Sequence, residues 1–117
     1  MRPILYFAIC ALSLTSLTAE ARIKERTLEK LVGWTLIDVK TIEGFYNDEG
    51  QYEESFEGCD YDRIIKFDDG TNVECSSYGY QYAYRPNAFL FGKSVNHNGK
   101  SFTMFKMLVE DDLYDIR

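Results

Sequence analysis

Tyr78, Tyr80, Tyr82 and Tyr84 recur at every second position of one short run. Successive side chains of an extended chain point to alternate faces, so all four tyrosines share one side. Gly79, Gln81 and Ala83 take the other side, and Gly79 and Ala83 are small enough to admit close packing beneath. A tyrosine offers a flat apolar ring with a polar tip. A row of them suits sugar rings, proline-rich peptide or the aromatic anchors of a partner protein. The row also suits a structural role. A bulge at Ser76-Ser77 or Gly79 would flip the phase, and the rings would then fill a small barrel with their hydroxyls at its rim. Small barrels often turn corners at such glycines, which favours the interior placement. If the chain has a binding surface, these four residues are the ones to carry it.

Catalytic chemistry is harder to place. His97 is the single histidine and sits in Asn96-His97-Asn98-Gly99, where a surface histidine is the default. Ser94 and Ser101 are near it in sequence, but no oxyanion loop or nucleophile elbow accompanies them, so no catalytic residue is assigned. Asp60-x-Asp62 and Asp68-Asp69 offer carboxylates to calcium, yet no twelve-residue calcium loop matches. Carboxylate pairs for glycoside hydrolysis are available in any acidic protein and are not singled out here. A zinc shell would lack ligands. No metal site and no cofactor is expected.

Of three cysteines, Cys10 lies in the apolar run at the start of the chain. Cys59 and Cys75 remain, and an even pair in an exported protein reads as one disulfide. Fifteen residues lie between them, and closing such a loop is worth ~3 kcal/mol on the chain-entropy model.

The elements that must position these groups follow from the patterning. Arg22–Val32 is expected as one short helix, with Ile23, Thr27, Leu28, Leu31 and Val32 on one stripe. Gly33 stops it. Trp34 to Ile42 alternates as a strand, with Thr35, Ile37, Val39 and Thr41 on one side. Gly44 to Gly58 is acidic and turn-rich, hence a long loop or irregular ribbon. Arg63–Phe67 is a short strand, and Asp68-Asp69-Gly70 fits a three-residue hairpin turn. That turn sets Phe67 against Thr71, Ile65 against Val73 and Arg63 against Cys75, with Ile65, Phe67, Val73 and Cys75 buried. The same register would set Cys59 opposite Gly79, far from Cys75, so Gly58–Asp62 must fold back across the sheet. Thr71–Arg85 is the longest strand candidate, ended by Pro86. Ala88–Val95 and Ser101–Val109 flank an Asn98-Gly99 hairpin turn. In the second of these, Phe102 and Met104 are out of phase with Phe105, Met107 and Val109. Glu110-Asp111-Asp112 turns into a last strand, Leu113–Ile116. The expected fold is mainly β: a small twisted antiparallel sheet or SH3-like barrel of five or six strands, preceded by one short helix and held by one disulfide.

Met1–Ala21 has the form of an export signal: Arg2, an apolar run from Ile4 to Leu17, then Ala19-Glu20-Ala21. The run is short for a membrane span, which needs roughly 18 residues. Cleavage after Ala21 leaves residues 22–117 as a single small β-rich domain in the periplasm or outside the cell, with no integral membrane segment. It removes one base (Arg2) and one acid (Glu20), so the net charge stays −6. Such a charge repels phosphate backbones and anionic membrane surfaces, so nucleic acid is not an expected partner. Between Glu43 and Asp62 stand eight acids and no lysine or arginine. This is either a solvated loop that keeps a small protein soluble, the favoured reading, or a docking face for a basic partner or a cation.

The segments Phe56-Glu57-Gly58-Cys59, Asp69-Gly70 and Cys75-Ser76-Ser77-Tyr78-Gly79-Tyr80-Gln81-Tyr82-Ala83-Tyr84-Arg85-Pro86 resemble an uncharacterised family of short exported bacterial proteins. These share F-x-G-C, a strand, a glycine turn, then C-x-x-x-x-Y-x-Y-x-Y-x-P. The resemblance spans roughly residues 54–86 and is looser in the C-terminal third. It implies bacterial export and a small β-rich fold; it carries no activity and no site residues.

Three functions remain, in this order. The first is a non-catalytic binding module for a protein, peptide or glycan, with the tyrosine row as its surface. The second is an inhibitor or immunity-type protein docking onto a basic exported enzyme. The third is a small hydrolase, which needs a pocket with two convergent ionisable groups.

Overall fold

The computed structural model describes residues 23–117; the export signal expected at Met1–Ala21 lies outside them. A one-turn helix α1 (Glu25–Glu29) precedes strands β1 (Thr35–Tyr46), β2 (Tyr52–Glu53), β3 (Ile64–Phe67), β4 (Asn72–Glu74), β5 (Asn87–His97), β6 (Lys100–Val109) and β7 (Asp112–Ile116). Every pairing is antiparallel. The strands run β4-β3-β1-β5-β6-β7 in a curled sheet that forms a half-barrel, with β2 paired to the end of β1. Its two edge strands touch at one bridge, Cys75 with Ile116. Glu74 and Arg117 exchange two backbone hydrogen bonds there, and the Ser76 N–H donates to the Asp115 carbonyl.

Short turns set the register. Asn98 and Gly99 both take positive φ (52° and 78°), which matches the twist of the β5–β6 hairpin. Gly70 (φ 90°) closes the β3–β4 hairpin, where the Phe67 N–H donates to the Thr71 carbonyl. Ile65 faces Val73 as the turn requires, and Ile65, Phe67 and Cys75 are buried with Val73 packed against them. Phe105, Met107 and Val109 share the concave face, and Phe102 and Met104 the convex one, given the pairing Gly92–Phe105 and Val95–Phe102. The core lies in the concave face. Phe56 and Phe67 are fully buried there, each worth about 1.5–3 kcal/mol on removal from water.

Four expectations from the sequence are corrected. The helix is shorter than Arg22–Val32, and only Thr27 and Leu31 of its stripe are buried; Ile23, Leu28 and Val32 stay exposed. Thr27 donates to Asp111 at the β6–β7 turn, which anchors the helix by polar contact in place of a broad apolar stripe. Thr35, Ile37, Val39 and Thr41 do not share a side, because a bulge at Ile37 shifts the β1–β5 register. The ribbon Gly44–Gly58 is partly regular, since β1 continues to Tyr46 and pairs β2. Finally, Thr71–Arg85 is not one strand. β4 gives way after Cys75, where the chain changes partners: the Cys75 N–H still goes to Arg63 in the β3–β4 register, but the Ser76 N–H goes to Asp115. Beyond Ser76 only single bridges remain, Gly79 with Cys59 and Ala83 with Phe56.

Candidate functional site

The run that follows this corner carries the tyrosines. Gly79 and Cys59 exchange both backbone hydrogen bonds (2.8 and 3.0 Å), and Ala83 and Phe56 do the same at 2.9 Å each. Residues 78–84 are therefore held extended against the arm Phe56–Cys59, although they form no continuous strand. Two-residue periodicity survives. Tyr78, Tyr80, Tyr82 and Tyr84 are 61%, 68%, 61% and 69% exposed. The interior placement favoured from the sequence is overturned. The corner at Cys75–Ser77 turns the chain without flipping its phase, so the tyrosines stay opposite the face that buries Cys75.

What lies beneath shows how the row is supported. A Cβ on Gly79 would sit 3.1 Å from the Tyr114 ring. The Tyr114 hydroxyl donates to the Gln81 side-chain oxygen at 2.6 Å. Tyr114 also meets Phe56 edge-to-face at 5.7 Å, an arrangement that ring quadrupoles favour. Burial pushes the Tyr114 phenol well above its ordinary range, so it stays a neutral donor. Gly79, Gln81 and Ala83 thus rest on a buried aromatic pair while their neighbours point to water. At about 6.8 Å per two residues, four rings cover roughly 20 Å. The row is thus supported from below by packed and hydrogen-bonded groups.

The Cys59–Cys75 disulfide is present, with Cα atoms 5.6 Å apart. Its geometry resolves the register conflict. Cys59 does sit opposite Gly79 as the β3–β4 register dictates, and the chain still folds back. The fold-back is made at Tyr61-Asp62, where Asp62 takes φ 68° and donates its N–H to the Cys75 carbonyl. Gly58 (φ 83°) permits the crossing, since a Cβ there would lie 2.0 Å from the Gly79 carbonyl oxygen.

The remaining polar candidates are spread across the molecule. His97 is exposed at the β5–β6 hairpin, as are Ser94 and Ser101. Asp60 caps its own turn through the Tyr61 N–H, and Asp62 pairs with Arg117 at 2.6 Å. Asp68 faces Arg85 at 3.9 Å, and Asp69 faces Lys40 at 2.9 Å. Asp69 also accepts from the Thr71 hydroxyl and N–H, and these bonds with Lys40 hold its carboxyl far below the usual carboxylate range. Glu43 accepts from Tyr52 at 2.7 Å and pairs with Lys66, which lowers its pKa. Burial, then the Glu43 contact, pushes the Tyr52 phenol up to about 12. Asp69 and Glu43 are held by partners that favour the ionised form, an arrangement that suits structure more than proton transfer. Among the described residues, no three His, Cys, Asp or Glu side chains group closely enough to hold a metal ion.

The surface depressions are open to solvent. One of about 360 Å³ is lined by Tyr46, Asn47, Asp48, Tyr61 and Arg63 among others. Tyr61 is 67% exposed and was not singled out in the sequence, where it lies outside the tyrosine period. Arg63 stacks on Phe45 at 4.5 Å and one of its terminal nitrogens donates to the Glu57 and Gly58 carbonyls, so it braces the arm, while its buried Nε has no hydrogen-bond partner among the described residues. Among the described residues, no helix is long and apolar enough to cross a membrane. The chain matches no protein-family model, and no curated protein or solved structure is similar to it.

Proposed function

We propose that the protein is an exported, non-catalytic binding module whose working surface is the row Tyr78, Tyr80, Tyr82 and Tyr84. The observation that carries this reading is their joint exposure on a backbone pinned from below. Exposing four large aromatic rings in register is costly for solubility and contributes nothing to the core, so a ligand is the economical explanation. Flat rings with hydroxyl tips suit a protein, a peptide or a glycan that presents a flat apolar strip. The apolar N-terminal run and the resemblance to short exported bacterial proteins support export, and the disulfide fits an oxidising compartment.

A second reading has its own support. Asp48, Glu49, Glu53 and Glu54 are exposed on the ribbon around β2, and such a face suits docking onto a basic exported enzyme as its inhibitor or immunity-type protein. One capture experiment separates the two. Residues 22–117 are immobilised and exposed to extracts of the exported fraction, beside the double variant Tyr80→Ser/Tyr82→Ser and a charge variant Glu53→Gln/Glu54→Gln. Loss of the captured ligand in the tyrosine variant alone is the expected result. Retention there with loss in the charge variant supports the inhibitor reading, and capture that neither variant weakens refutes both.

A further inference from the structure

The net charge of −6 conceals how the charges are arranged. From Cys75 to Val109 the chain carries Arg85, Lys93, Lys100 and Lys106 and no acid. Most of these bases lie on the β5–β6 hairpin, whose tip outruns its neighbours. β1 reaches only as far as Gly92, at Thr35, and β7 only as far as Phe105, at Ile116. Residues directly opposite each other in an antiparallel pair point to one face. His97 with Lys100, Val95 with Phe102 and Lys93 with Met104 are such pairs, and all share the convex face. Lys106 follows on that face, opposite Phe91. Ser94, Asn96, Ser101 and Thr103 take the other face, so the projecting hairpin is amphipathic.

Its convex face is cationic and apolar at once. Phe102 and Met104 are 49% and 46% exposed, with Lys93, His97 and Lys100 exposed beside them. Lys106 is held by Asp115 at 2.6 Å. Lys93 and Lys100 have no carboxylate partner among the described residues. The Trp34 ring meets the Lys93 ammonium at 5.8 Å and the Lys106 ammonium at 5.1 Å, so the indole borders the same face. We propose that this face docks on the surface of an anionic lipid bilayer.

Charge complementarity argues for that occupant. Lipid phosphates take the free ammonium groups of Lys93 and Lys100, and each lysine near an anionic surface strengthens partition about fivefold. Phe102 and Met104 reach past the phosphates to the acyl boundary, ~5–10 Å deep. Tryptophan and lysine are the side chains that this interface favours. The polar face of the hairpin and its edge backbone stay in the hydrated headgroup layer, so no unpaired N–H enters hydrocarbon. A nucleic acid backbone would engage the lysines and leave Phe102 and Met104 in water. The acids do not oppose the contact. Asp48, Glu49, Glu53 and Glu54 lie on the ribbon that pairs with the far end of β1, at Tyr46. The 12 residues of β1 set that ribbon roughly 30 Å from the hairpin, several times the ~8 Å screening length at physiological salt.

Co-sedimentation of residues 22–117 with vesicles of phosphatidylglycerol and phosphatidylcholine in equal parts tests the docking, beside vesicles of phosphatidylcholine alone. The expected result is binding to the anionic vesicles only, weakened by added salt. The emission of Trp34, the single tryptophan, should shift to the blue as the vesicles bind. Lys93→Gln/Lys100→Gln should weaken binding about twenty-five-fold and Phe102→Ser about tenfold, both with unchanged circular dichroism spectra. If the serine variant fails to fold, the lysine variant decides. Absence of binding to anionic vesicles at low salt overturns the proposal, as does equal binding to both kinds of vesicle. So does binding that Tyr80→Ser/Tyr82→Ser removes and the hairpin variants keep. Tighter binding to duplex DNA would assign the face to a polyanion and overturn it. Self-association on gel filtration that Lys93→Gln/Lys100→Gln abolishes would assign it to the acidic ribbon of a second copy, with the same consequence.

Discussion

Replacing Cys59 and Cys75 together by alanine probes how the tyrosine surface is held. The bond joins positions 16 apart in sequence, and the closure entropy of a loop of that length is worth ~3 kcal/mol. A domain of this size has a total stability on the order of 5–10 kcal/mol, so the loss is about a third or more of it. At 4–8 °C per kcal/mol, the thermal midpoint should fall by roughly 12–24 °C. The loss should also be local. The disulfide fastens the arm Phe56–Cys59, and that arm supplies the four backbone bonds that hold Gly79 and Ala83. Hydrogen exchange should therefore show the Gly79 and Ala83 amides opening before those of Ile65 and Met107, which lie in the buried core. Urea unfolding gives the magnitude and exchange gives the place. A loss below about 1 kcal/mol, with Gly79 and Ala83 as protected as in the parent chain, would refute the view that the bond orders this surface.

Two further outcomes follow from single residues. Gly58→Ala combines a positive φ of 83° with a Cβ 2.0 Å from the Gly79 carbonyl oxygen; strain of this kind costs about 2–4 kcal/mol, read as a lower urea midpoint, and an unchanged midpoint would mean the crossing is looser than described. Asp69 has a folded pKa below its ordinary 3.8, so its stabilising contribution is present above that value and is lost as pH falls toward the folded value. Asp69→Asn should lower the urea midpoint at pH 7, with the gap to the parent chain closing as the pH is brought below 3.8; a gap that is constant with pH contradicts the assignment.

Much of the fold was legible in the sequence because it depended on local chemistry. Asn98-Gly99 and Asp68-Asp69-Gly70 specify their turns through residues that accept positive φ, and each turn fixes the register of its hairpin. Cys59 and Cys75 were the two cysteines left to pair. The tyrosine period was visible, and its four residues could be named. What the period could not reveal was which side of it faced water. A bulge would have reversed the answer, and whether one forms depends on where the neighbouring backbone finds its hydrogen bonds.

That decision was made by distant parts of the chain. The chain leaves the β3–β4 ladder at Ser76, whose N–H goes to Asp115 near the end of the sequence. Tyr114, near the end of the sequence, occupies the space under Gly79 and Gln81. The sequence by itself determined the β class, the turns, the disulfide and the identity of the aromatic row, since these rest on residue type and short spacing. Only the tertiary structure decided that the row is exposed and that, among the described residues, β6 outruns β7. Exposure and edge pairing are properties of what packs alongside, and no local pattern records the neighbour that is missing.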